Sequence, residues 1–142
     1  MAAEYSFIPI QTVEENESIL FNEGDRACKK GFIEHRDGSG VLTLKGARNC
    51  NKSIYKVQFN GNITVAEGGT VGEISVAITE NGETLGNAEA IATAGIGDYF
   101  NVSATTFIVI PCGCCKTVAV RNTSDGTAID VQNANLIVER VA

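Results

Sequence analysis

The chain has 142 residues, enough for one domain with a real hydrophobic core, since a domain of this size hides roughly two-thirds of its unfolded surface. Its formal net charge of -6 argues against a nucleic-acid or anionic-membrane partner, both of which need a clustered positive patch, and Arg26, Lys29 and Lys30 are too small a group to change that. No apolar run approaches the roughly 18 to 20 residues of a membrane-crossing helix, and MAAEYSFIPI lacks the basic flank and apolar stretch of a signal peptide, so a soluble, non-exported chain is expected.

Fifteen Gly with abundant Thr, Val, Asn and Ile and no Trp give a turn-rich β-protein composition, with little support for helix anywhere. Residues 1–6 read as a loose arm and 7–13 as a short strand broken by Pro9, which suits a sheet edge because proline cannot donate to a ladder. Residues 1–12 are therefore expected to form an N-terminal arm and opening strand, and 13–142 a single domain. Glu14, Glu15, Asn16 and Glu17 read as a solvated turn, without the Asp/Gly geometry of a calcium loop, and 18–21 as a second short strand.

Segments 31–36 and 41–45 flank Asp37-Gly38-Ser39-Gly40, which predicts a β-hairpin with Arg36 opposite Val41. Extending that register puts Cys28 opposite Asn49, one residue from Cys50, so a Cys28–Cys50 disulfide and two ordinary buried thiols are equally open readings. His35, the single histidine, has no second His or evident partner and is expected at the surface.

In 54–65, Tyr55, Val57, Phe59, Ile63 and Val65 alternate with polar residues, the pattern of a half-buried sandwich strand, and Gly61 suggests a bulge. Ile74, Val76 and Ile78 form the next strand, Asn81-Gly82 predicts a tight hairpin, and 85–94 is its return arm. Residues 98–110 make a long strand with Phe100, Val102, Ala104, Ile108 and Ile110 on one face, while Phe107 and Val109 make the other face apolar near its end. After Pro111, strands are expected at 117–121, 129–131 and 133–142; in the last, Leu136 and Val138 share one face and Ile137 and Val141 the other. Two strands apolar on both faces call for cover on both sides, by another sheet of the same subunit or by a neighbouring copy, of which the neighbouring copy is expected. About ten short strands at regular spacing predict an all-β sandwich or barrel.

Cys112-Gly113-Cys114-Cys115 is the one conspicuous cluster. Its thiolates suit a soft metal, although a complete zinc site would need Cys28, Cys50 or another subunit; the odd count of five cysteines also fits inter-subunit disulfides, and reduced thiols in a buried turn remain the plain alternative. Asn-X-Ser/Thr triplets such as those at Asn51, Asn62, Asn101 and Asn122 fit chance in so Asn- and Thr-rich a chain. There is no nucleophile elbow, no Ser/His/Asp set and no phosphate loop, so neither an enzyme nor a cofactor is expected.

From about Ile54 onward, YKVQFNGNITV at 55–65, ITENGETL at 78–85, a long strand and KTVAVRNTSDGTAIDVQNANLIVERVA at 116–142 resemble the tumour-necrosis-factor-like jelly roll. QTVEENESILFN at 11–22 is similar to that family's opening strands. The resemblance runs in particular to the C-terminal domains of bacterial collagen-like spore-surface glycoproteins and to stand-alone bacteriophage capsid-decoration or head-fibre proteins; the Gly-X-Y stalk of the former is not present in this sequence. It implies a jelly-roll β-sandwich and a homotrimer packed around a threefold axis through its inner sheet. With it come several expectations: an interface of Phe107, Val109, Ile137 and Val141; inter-subunit thiols at Cys112, Cys114 and Cys115; an N-terminal arm with Tyr5, Phe7, Ile8 and Pro9 docking on a capsid or surface-layer partner; and a place on the virion. The alternatives are a receptor- or host-glycan-binding module, for which Asp98-Tyr99 is the candidate loop, and a subunit of a spore or cell surface.

Overall fold

The computed structural model describes residues 2–24, 26–27, 31–47 and 51–142. They form ten strands and no helix: β1 (Ala2–Phe7), β2 (Gln11–Val13), β3 (Ile33–His35), β4 (Leu42–Lys45), β5 (Ser53–Val65), β6 (Gly72–Glu80), β7 (Glu83–Ala94), β8 (Phe100–Ile110), β9 (Cys115–Asn122) and β10 (Ile129–Arg140). One sheet runs β1-β10-β5-β8, with β2 also paired to β10, and the other runs β3-β4-β9-β6-β7; every ladder is antiparallel.

Period-two alternation builds the core between the two sheets. Tyr55, Val57, Phe59, Ile63, Ile108, Ile110, Leu136 and Val138 enter it from the first sheet, and Leu42, Leu44, Ile74, Val76, Ile78, Val118 and Val120 from the second. Fully burying side chains of this size contributes about 1.5–3 kcal/mol each. Tyr55 reaches across the end of the core, and its hydroxyl donates to the Lys45 carbonyl at 2.7 Å, which satisfies the one polar atom it carries inward.

The hairpins follow the sequence. His35 pairs Leu42 and Ile33 pairs Leu44, the register that sets Arg36 opposite Val41, while Cys28 and Cys50 lie outside the described residues. Glu80 pairs Glu83 across Asn81 and Gly82, both at positive φ (50° and 83°), as a type I′ turn requires. Residues 129–131 and 133–142 turn out to be one strand. Gln132 pairs Asn62 and Asn135 pairs Asn60, so Asn133 and Ala134 together oppose Gly61, with Asn133 at φ 55°. The extra residue re-phases the strand so that Ile129 and Val131 on one side of it, and Leu136 and Val138 on the other, all face the core. The bulge thus lies opposite Gly61, where a Cβ would meet the Phe59 ring at 2.9 Å.

Two expectations are corrected. The N-terminal residues are no loose arm: β1 pairs β10 from Ala2 with Glu139 to Phe7 with Ala134, and Tyr5 is 1% exposed. AAEYSF alternates small or aromatic with polar residues, so it gains both a ladder and a place in the core, and Tyr5 is not available to a docking partner. Phe7 packs against the core, leaving Ile8 and Pro9 exposed where β1 breaks before β2. Nor is the His35 side chain at the surface. It is fully enclosed, 4.7 Å from the Tyr5 ring, and its Nε2 donates to the Ser39 carbonyl at 2.7 Å. Its Nδ1 lies 3.3 Å from Glu23 Oε1, off the line of a hydrogen bond. The β3–β4 turn folds back over the imidazole and hides it.

Candidate assembly surface on the first sheet

The outer face of the first sheet is reached by the residues that alternate with the core. Register orders them in rows from β10 through β5 to β8: Gln132, Asn62 and Asn101; Asn135, Asn60 and Ser103; Ile137, Gln58 and Thr105; Glu139, Lys56 and Phe107. Beyond these, Ile54 pairs Val109, and the Val141 N–H donates to the Ile54 carbonyl at 2.8 Å, so Val141, Ile54 and Val109 make one more row.

The face is divided along its length. One end is amide and hydroxyl, with the Asn101 Nδ2 donating to Asn62 Oδ1 at 2.9 Å. Toward the other end exposed apolar side chains appear, interrupted by Glu139 and Lys56. Phe107 is 61% exposed, Val141 46%, Val109 40% and Ile137 36%. All four residues expected at an interface therefore share one face and are left exposed, with Phe107, Val109 and Val141 at one end of it, Ile137 in the middle row, and the charged Glu139 and Lys56 between them. Sequence reasoning passed over Ile54, whose half-exposed side chain sits between Val141 and Val109, and Lys56 on the same face, because both lie in a strand that reads as ordinary alternation.

The polar flank is braced at β1. Glu4, paired with Ile137, accepts from Asn135 Nδ2 at 3.3 Å and from Arg26 Nη1 at 2.8 Å. These hydrogen bonds, Asn135 foremost and Arg26 next, hold its carboxyl below the usual carboxylate value.

The other candidate residues are scattered. Pro111 to Cys114 form a tight turn at the end of β8, with Cys114 and Cys115 exposed and Cys112 half-buried. Among the described residues no cluster of three His, Cys, Asp or Glu side chains could hold a metal ion. Glu14 to Glu17 form an exposed turn. Asp98 and Tyr99 lie in the turn before β8, and burial together with the Asp130 carboxylate pushes the Tyr99 phenol up. Asn122 is no modification site: it is wholly buried, its Nδ2 donating to the Val13 and Thr127 carbonyls at 3.0 Å each, and its Oδ1 accepting from the Ser124 N–H.

No family model and no curated protein sequence matches the chain. Among solved structures it is similar to the globular domain of zebrafish complement 1qA protein, with TM-score 0.70 and 10% identity over 99% of this chain and 97% of that one. It is equally similar to Eiger TNF from S. frugiperda, with TM-score 0.70 and 12% identity over 99% and 93% of the two chains. Murine APRIL at pH 5.0 gives TM-score 0.63 and 10% identity over 98% and 99%. At such identities the likeness is one of fold, and it agrees with the sheet orders above: the chain is an all-β, tumour-necrosis-factor-like jelly roll.

Proposed function

We propose that the chain is a non-enzymatic structural module that forms a homotrimer through the outer face of its first sheet, and that the trimer decorates a larger assembly, a bacteriophage capsid or head fibre. The observation that carries the assembly is the exposure of Phe107, Val109, Ile137 and Val141 on one sheet face. A sheet face meant for water is polar, and large apolar side chains left exposed together on one face mark a contact surface. Cyclic symmetry that turns this face of every copy toward a common axis covers it without leaving an open chain of subunits. The trimer and the virion setting are supported by the sequence resemblance across 55–65 and 116–142, and the non-enzymatic role by likeness to complement 1qA and TNF folds.

Light scattering after size exclusion, in reductant, tests the assembly: the mass is three times 15.0 kDa for the native chain and falls to that of one chain for Ile137→Asp. A native monomer, or an unchanged Ile137→Asp trimer, overturns it. Proteomic recovery of the chain from purified phage particles tests the virion role, and its absence there removes that role.

One observation favours a second reading, a glycan-binding module: Tyr99 and Phe100 are exposed beside Asp98 and the Asn62–Asn101 amide pair. Aromatic faces and side-chain amides suit the apolar and hydroxyl sides of a sugar ring. Asn101 belongs to the polar end of the assembly face, so this reading requires that face to stay open, as in a monomer. Saccharide binding lost on Tyr99→Ala is its test.

A further inference from the structure

The first sheet carries a knob on one flank and a recess on the other. The knob is Phe107 on β8, with 61% of its surface open. The recess is a shallow groove of about 460 Å³ beside β1, lined among the described residues by Ala2, Ala3, Ala27 and Ile137, with Glu4 and Arg26. The alanine side chains stop at Cβ, and that is what leaves the space open. Ile137 belongs to the outer face as well as to the groove, so the groove is continuous with the assembly surface.

Phe107 cannot fill this groove in its own chain. β10 and β5 stand between β1 and β8, and three strand spacings put the two flanks about 14 Å apart. Between copies the geometry is different. A rotation leaves every point at its own level along the axis, so two unlike patches of one chain can meet around a ring only where their levels agree. Register supplies that agreement for an axis running along the strands. Ala2 pairs Glu139, Glu139 pairs Lys56 and Lys56 pairs Phe107, so groove and knob stand in a single row at opposite flanks of the face. The flanks are matched in charge as well. Lys56 neighbours Phe107 and Glu139 neighbours Ala2, while Arg26 beside the groove is already held by Glu4 at 2.8 Å. Closing one flank on the other therefore turns Lys56 of one copy toward Glu139 of the next, and complementary charge of this kind fixes register at an interface. We propose that the Phe107 ring of one copy seats in the groove between Ala2, Ala27 and Ile137 of the next, an inference that rests on the homotrimer reading above. The contact is then one of unlike surfaces repeated three times, not a cluster of like rings on the axis. An aromatic anchor in a desolvated recess is also where binding energy concentrates.

The test replaces Phe107 by the photoreactive analogue p-benzoylphenylalanine and irradiates the assembled chain. Inter-chain products are separated by denaturing electrophoresis and mapped by peptide mass, with light scattering on the same preparation. The expected adducts join position 107 of one copy to 2–4, 26–27 or 137 of another. Adducts to any other stretch, such as 105–109 of another copy, or no inter-chain product from a chain of trimer mass, overturn the seating and leave the trimer standing. A native chain with the mass of a monomer refutes the trimer and the contact together. A size exchange reads the same contact without the probe. Ala2 is exposed, so Ala2→Trp spares the core while filling the groove: the light-scattering mass falls from three chains to one, and Phe107→Ala added to it brings the trimer back. An Ala2→Trp chain that keeps the native trimer mass, or a double variant that stays monomeric, overturns the seating.

Discussion

Truncating Phe107 to alanine separates the assembly surface from the core it sits above. Its ring is 61% exposed, and full burial of a side chain of this size contributes about 1.5–3 kcal/mol, so closing the remaining surface adds roughly 1–2 kcal/mol per copy. Three copies meeting at one axis make that about 3–5 kcal/mol per trimer, which at about 1.4 kcal/mol per decade is a rise of roughly two to four orders of magnitude in the trimer's dissociation constant. The monomer should be nearly indifferent, because a substitution on an exposed strand face away from the core changes folding stability by about 0.5 kcal/mol or less. The assay is a dilution series by light scattering for association, together with urea unfolding in a concentration range where both proteins are monomeric. A Phe107→Ala chain that dissociates with the native midpoint would refute the reasoning, as would one that loses stability as a monomer, since the ring would then be holding the fold.

Asn122→Ala should cost about 2–4 kcal/mol in urea unfolding, because it strands the Val13 and Thr127 carbonyls and the Ser124 N–H in a buried site; a loss under 1 kcal/mol would mean that water replaces the amide. For Glu4, a folded-state value below the unfolded one means stability that is present above the ordinary carboxylate value and is lost as pH falls through the lower, folded one. Glu4→Gln should therefore lower thermal stability near neutral pH and flatten its decline below about pH 4, and an acid limb identical to the native one would sink that assignment.

The parts of the fold legible in the sequence were those governed by local rules. Asn81-Gly82 dictates its own hairpin, and alternation in 54–65 and 98–110 marks both the core and, through Phe107 and Val109, the second apolar face. What escaped was set at long range. Tyr5 finds its core place only because Leu136 lies opposite it, more than a hundred residues along the chain. His35 is enclosed by Tyr5, Glu23 and the Ser39 carbonyl, which come from three separate stretches. The bulge at Asn133 broke the period of β10, and a broken period reads as two strands.

The position of β10 also constrains the order in which the molecule can be made. It lies between β5 and the β1–β2 pair, so every strand contact that β1 and β2 make within the first sheet is with residues the ribosome adds after all the other strands. Until then β5 has only β8 beside it, and Tyr5, Phe59 and Val57 lack their cross-strand neighbours Leu136 and Val138. Folding is therefore expected to wait for the emergence of β10 and to be slow, because its decisive contacts are the most distant in sequence. In the interval the nascent chain presents unpaired edges to its neighbours on the same message, and productive folding must outrun association between them.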